Sequence, residues 1–281
     1  MYTAILLSAA ALPAILILVY VYLKDRTERE PGDLLLKLVL GGFLATVFAV
    51  LFELLGEKLF SYIPFSSENQ MNFWKFMIVV ALTEEFFKYL IMRLITWENP
   101  NFNCSYDGVV YAVFTSLGFA ILENVFYIIE GGFSTALVRA VTAIPGHASF
   151  GVFMGVFYAF AKKQQNKGNE GISSLFRFLA VAMPTLVHGI YDYSTTLQSI
   201  WGFIGFIIVL FIVSSIMIRT MSRHDKMIDD AAIPEIDVQV NEDGIPVVKV
   251  PDDGPTSSVG RVIIEPARRD PTNKHTNYRT K

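Results

Sequence analysis

The chain has 281 residues, of which 53% belong to the hydrophobic set and only 17% are charged, with Phe alone supplying 23. A soluble globular domain carries about 25% charged residues, so this composition excludes an ordinary water-soluble fold and fits helices in lipid. The formal net charge of −3 says little about partners and gives no reason to expect nucleic acid, and the single Cys104 excludes an internal disulfide or a Cys-based zinc cluster.

A bilayer-spanning helix needs about 20 mostly apolar residues. Seven stretches qualify in chain order: Tyr2–Leu23, Leu34–Leu55, Met71–Trp97, Val109–Ile129, Ser134–Ala161, Ser173–Leu197 and Ile200–Ile218. The first lacks a basic segment before its apolar run, so it reads as a permanent span and not as a signal peptide. Lys24, Arg26 and Arg29 fill the first loop, Lys162, Lys163 and Lys167 the fifth, and Arg219, Arg223 and Lys226 follow the last span, while the alternate loops are poor in positive charge. That asymmetry predicts an outside amino terminus and a cytoplasmic carboxyl tail in a multi-pass cell-membrane protein. Residues 219–281 hold ten Lys/Arg, eleven Asp/Glu and half of the 12 prolines. Such a segment buries too little apolar surface to offset its ordering entropy. The expected architecture is therefore an all-α membrane bundle of about seven transmembrane helices (1–218) with a disordered polar C-terminal tail (219–281), in which Ile245–Val250 and Val262–Ile264 are short apolar patches.

Ionisable groups stand where lipid makes them expensive, at about 2.5–3.5 kcal/mol each on insertion scales. The third span carries Glu84, Glu85 and Lys88, the fourth Glu123 and Asn124, the fifth His147, and the sixth His188 and Asp192. Glu84 and Lys88 are four apart and share a helix face. Glu85 points about 100° away, toward a different neighbour. His188 and Asp192 also share a face, so Asp192 can ligate or hold the imidazole. Pro145 and Pro184 each precede a histidine, where proline is expected to kink the helix and open carbonyls to a polar cavity. Gly151-x-x-x-Gly155 is read as a packing motif. Arg139, Lys75, Lys37 and Glu53 lie near span ends and are read as structural, able to snorkel. Asn124 joins the candidate site, although a helix–helix hydrogen bond is the simpler use for it, and Cys104 is read as incidental.

Two histidines with a carboxylate match the ligands of catalytic zinc sites, where zinc acidifies a bound water and a nearby Glu takes its proton. No Gly-x-Ser-x-Gly elbow, aspartyl pair or His-Glu-x-x-His helix is present, so any metal must be gathered from several helices.

Glu84-Glu85-x-x-Lys88, Asp107-Gly108-Val-Val-Tyr111 ahead of Gly118-Phe119-Ala-Ile-Leu-Glu123-Asn124, His147, and His188-x-x-x-Asp192 resemble the motifs of the PrsW family, a branch of the superfamily that includes the CAAX prenyl endopeptidases. The resemblance implies a membrane-embedded endopeptidase, usually classed as a metalloprotease, whose best-known member cuts a membrane-anchored anti-sigma factor. By motif position, Glu84, Glu85, Glu123, His147, His188 and Asp192 are the family-type site residues. The expected roles are Glu84 or Glu85 as general base, Glu123, His147 and His188 as zinc ligands, Asp192 orienting His188, and Lys88 tuning Glu84 or stabilising an oxyanion. The expected partner is a single-span membrane protein in the lipid bilayer, with an anti-sigma factor as one example. The alternatives are an ion- or proton-coupled transporter and a catalytically inactive membrane scaffold.

Overall fold

The structure is a computed structural model that describes residues 2–197, 199–228, 237–240 and 246–249. Among these lie the helices α1 (Tyr2–Lys24), α2 (Gly32–Phe60), α3 (Glu68–Trp74), α4 (Leu82–Thr96), α5 (Asp107–Val141), α6 (Ala143–Asn166), α7 (Glu170–Thr196) and α8 (Ile200–Arg223). A π-helical turn, Lys75–Ala81, joins α3 to α4 without a break. The chain divides into two compact units, Met1–Ala232 and Ile233–Lys281. All the helices fall in the first. The second contains two antiparallel strands, β1 (Asp237–Val240) and β2 (Pro246–Lys249), with Asp237 opposite Lys249 and Val240 opposite Pro246. Apart from these strands, the tail beyond Ile228, with its Val262–Ile264 patch, lies outside the described residues.

The first unit is the expected all-α bundle. Counted as unbroken helical stretches it has six rather than seven, because the expected fourth and fifth spans form one stretch, Asp107–Asn166. That stretch folds back at Gly132, whose φ of 70° is left-handed backbone that favours glycine. Four stretches are long and apolar enough to cross a membrane: Gly32–Phe60, Asp107–Asn166, Glu170–Thr196 and Ile200–Arg223. Glu68–Thr96 misses that standard because it carries Lys75, Glu84, Glu85, Lys88 and Arg93, of which Glu84, Glu85 and Lys88 are candidate site residues. Helix α8 runs on to Arg223, past the expected end at Ile218. Beyond it the Lys226 carbonyl accepts from the Ser105 amide at 3.0 Å, and the Ile228 amide donates to the Asn103 carbonyl.

The first half of α5 is the centre of the bundle. Every residue from Asp107 to Ala120 is buried, as a helix apolar on all faces requires. Helices α1, α2, α4 and α6 all pack on it. Around this core, α2 exposes Leu36, Leu40, Leu44, Leu51 and Leu54, and α8 exposes Trp201, Ile208, Val209 and Ile212, an apolar rim suited to lipid.

Close packing on α5 depends on glycine. A Cβ on Gly155 would meet the Gly108 carbonyl oxygen and the Val109 Cα, and one on Gly151 would stand 3.0 Å from the Ala112 carbonyl oxygen. The Gly-x-x-x-Gly reading is thus placed on the α5–α6 seam, where backbone meets backbone and cannot yield. Gly155→Ala is expected to cost about 2 kcal/mol or more of overpacking, read as a lowered unfolding midpoint in detergent. Gly205→Ala on α8, with nothing within 4 Å of the new methyl, should leave the midpoint unchanged or raise it.

Candidate active site

Local backbone geometry sets the site. The π-helical turn ends at Ala81, one residue before α4 begins, and Glu84 and Glu85 occupy the first turn of α4. Such turns inside helices often accompany functional residues. Helix α7 comes close to this turn at Gly189, where a Cβ would lie 2.7 Å from Met77 Sδ and 3.1 Å from its Cα. The adjacent His188 is thereby brought against Glu85. His147 sits in the first half of α6. Pro145 does not kink that helix as expected: it lies in the first turn, where proline sacrifices no helix hydrogen bond. The break comes instead at Thr142, with φ −118° and ψ −70°.

All eight candidate residues lie in one chain of contacts. Asp192 Oδ2 lies 3.3 Å from His188 Nε2, and His188 Nδ1 lies 2.9 Å from Glu85 Oε1. Lys88 Nζ donates to Glu85 Oε1 at 2.8 Å and to Glu84 Oε2 at 3.0 Å, and lies 3.1 Å from His147 Nδ1. The opposite nitrogen of that ring, Nε2, lies 2.9 Å from Glu123 Oε2. Arg139 closes the chain, donating to Glu123 Oε2 at 2.9 Å and to Asn124 Oδ1 at 2.7 Å. Glu85 and Lys88 are fully buried, and Glu84, His147 and His188 nearly so.

The partners fix the proton positions. An ammonium only donates, so His147 Nδ1 accepts from Lys88 and its Nε2–H donates to Glu123. His188 faces a carboxylate at each nitrogen, Glu85 Oε1 at 2.9 Å and Asp192 Oδ2 at 3.3 Å. Glu123 contacts both His147 and Arg139. Glu84, Glu85 and His147 each offer an atom within 4.8 Å of the others and could hold a metal ion. Glu85 Oε2 is buried without a partner. Lys88 Nζ bonds all three of these residues, so an ion and the ammonium compete for one centre.

Two residues read as structural belong here. Arg139 reaches Glu123 because the reversal at Gly132 lays residues 133–141 back along α5; the Gly131-Gly132 pair was the available turn signal. Glu53 of α2 lies near enough to Glu84, Glu123, Lys88 and His188 to feel their charges. Cys104 stands outside the site. Burial, then the carboxylates of Asp107 and Asp225, push its thiol up to about 12, which suits an inert side chain.

Residues 30–218 match the model of the PrsW family intramembrane metalloproteases. The chain is 34% identical over 209 residues to the protease PrsW of Oceanobacillus iheyensis, covering 73% of this chain and 87% of the relative. It is 33% identical to that of Geobacillus kaustophilus, covering 70% and 83%, and 32% identical to that of Bacillus subtilis, covering 70% and 85%. No solved structure matches the chain significantly.

Proposed function

The chain belongs to the PrsW family of intramembrane metalloproteases, and from that premise we propose that it hydrolyses a peptide bond in a single-span membrane protein, a membrane-anchored anti-sigma factor being the first candidate. Membership sets the transporter alternative aside. The observation that carries the proposal is the junction at Lys88, where one ammonium gathers two glutamates and an imidazole from two helices. Glu84 is the general base. It is bonded through Oε2 alone among the described contacts and keeps 5% side-chain exposure, whereas Glu85 keeps none and is committed to both Lys88 and His188. A base must meet water. Glu85 and Asp192 hold His188 in place, and Lys88 supplies the positive charge that a tetrahedral oxyanion needs.

Zinc is the proposed metal, with Glu85 and His147 as residues that would hold it and Glu84 facing the same centre as the free base; when bound it would acidify water and polarise the carbonyl. Lys88 must then withdraw from the same centre. The proposed orientation keeps the amino terminus outside and the tail cytoplasmic, on the loop charges alone.

Beside the glutamates, Phe52, Leu82, Thr83, Phe86 and Phe87 line an apolar recess between α2 and α4. Phe52 and Phe86 are half exposed on the apolar surface, which suits a recess that receives a side chain from a membrane-spanning substrate. Phe86→Ala is expected to raise KM about tenfold, as losing about 1.4 kcal/mol of binding would, with kcat little changed. The proposal as a whole is tested with the purified chain in liposomes beside single-span proteins, including an anti-sigma factor. Wild type should cut at a defined bond within or beside the span, and Glu84→Gln should not. Equal products from both would remove this site from the chemistry, and a chain that cuts none of them would be the scaffold.

A further inference from the structure

A second buried acidic cluster lies apart from the active site. Asp25 and Glu30 stand in the loop between α1 and α2, Asp107 is the first residue of α5, and Asp225 follows α8. Along α5, Asp107 is 16 residues from Glu123, about 24 Å of helix. Asp25, Glu30 and Asp107 are 2%, 4% and 0% exposed. Each offers an oxygen within 4.8 Å of the others, and the half-buried Asp225 lies in electrostatic range of Asp25.

The backbone aims these groups inward. Asp107 Oδ2 accepts the amides of Asn103 at 3.0 Å and Cys104 at 2.6 Å, which leaves Oδ1 unbonded. Asp225 Oδ1 accepts the Tyr106 amide at 2.8 Å, which leaves Oδ2 unbonded. Both oxygens of Asp25 and Oε2 of Glu30 are likewise buried without a close hydrogen bond, and the Tyr111 hydroxyl interacts with Glu30. Among the described residues, no Lys or Arg makes an ion pair with any of the four carboxylates; Arg29 acts on Asp25 only at longer range. Buried carboxylates are ordinarily paired or coordinated to metal.

We propose that Asp25, Glu30, Asp107 and Asp225 form a divalent-cation site of the Ca2+ type, which pins the α1–α2 loop, the start of α5 and the segment after α8 to one another. The set is oxygen only, the choice of a hard cation. Oxygens up to 4.8 Å apart can share a centre with bonds of about 2.4 Å, the range for Ca2+ and long for Mg2+. The nearby thiol takes no part, since Cys104 donates to Met227 Sδ. Asp225 is the one half-buried member. The zinc donors of the active site are a separate set, and nothing in this inference depends on proteolysis.

The test uses the full chain in detergent, stripped with EDTA and then given CaCl2, MgCl2 or ZnCl2 alone, followed by thermal unfolding and by calcium binding in equilibrium dialysis. Wild type should bind about one Ca2+, with a midpoint raised by about 5–10 °C at about a hundred times Kd and a smaller gain in Mg2+. Glu30→Gln with Asp107→Asn should abolish binding and shift together. Asp225→Asn at the rim should raise Kd about tenfold or more with the fold intact, so the proposal stays testable should the double variant not fold. Glu84→Gln should bind Ca2+ as wild type does. No calcium binding by wild type would overturn the proposal, as would equal binding by Asp225→Asn. A double variant at least as stable as wild type, with cations moving neither midpoint, would mean that the carboxyls share protons, and that too would overturn it.

Discussion

Replacing Glu84 by Gln is expected to lower the cleavage rate by about a hundredfold to ten-thousandfold, the range for loss of a general base, with the bundle still folded. The amide keeps the shape and still accepts from Lys88, and Lys88 keeps Glu85 as its counter-ion at 2.8 Å, so the loss falls on chemistry. Glu85→Gln should differ in kind. Its Oε1 holds Lys88 and His188 together at zero exposure, and removing one charge from a buried pair costs about 3–5 kcal/mol. That variant should lose both activity and a large part of its stability. The two glutamates are told apart by measuring single-turnover cleavage and the unfolding midpoint on each. If Glu84→Gln is the variant that unfolds and Glu85→Gln the one that stays folded and inert, their roles are reversed.

Much of this was legible from the chain alone, for a reason that applies to membranes. Lipid makes each charge expensive, so Glu84, Glu85, Lys88, His147 and His188 stood out against an apolar background before any fold was known. Apolar length likewise located the helices, since few other segments of 20 such residues exist. What escaped was what depends on how one helix meets another. The spacing of Glu84 and Lys88 predicts their pairing, but no spacing shows that His147 supplies the third contact to Nζ. Arg139 sits near a span end by counting and reaches Glu123 only through the reversal at Gly132. The expectation for Pro145 failed because helix starts are set by the preceding turn, here Thr142, and proline at a start is harmless. The cluster of Asp25, Glu30 and Asp107 was not legible: Asp107 stands in a family-type motif, but Asp25 and Glu30 are ordinary loop acids in sequence, and the shared burial appears only when three segments meet.

Replacing Lys88 by Met should destabilise the protein by about 3–5 kcal/mol in the presence of a chelator, because Glu84 and Glu85 would remain buried without their shared cation. The side chain lies fully buried over the Phe119 ring, with Nζ 4.0 Å from its centroid. Methionine replaces the stem at similar volume, so packing alone predicts a small effect. The same substitution clears the centre shared by Glu84, Glu85 and His147, the three residues that could hold a metal ion. Zinc should therefore bind Lys88→Met more tightly than wild type and restore most of its lost stability, while wild type gains much less. Unfolding midpoints in EDTA and in ZnCl2, with zinc content measured on both proteins, give the answer. A Lys88→Met protein as stable as wild type in EDTA would show that the ammonium is not what neutralises the glutamates. Tighter zinc binding by wild type would show that ion and ammonium occupy different places. The expected pattern makes Lys88 a tethered cation on the glutamates at rest, which zinc must displace to reach them.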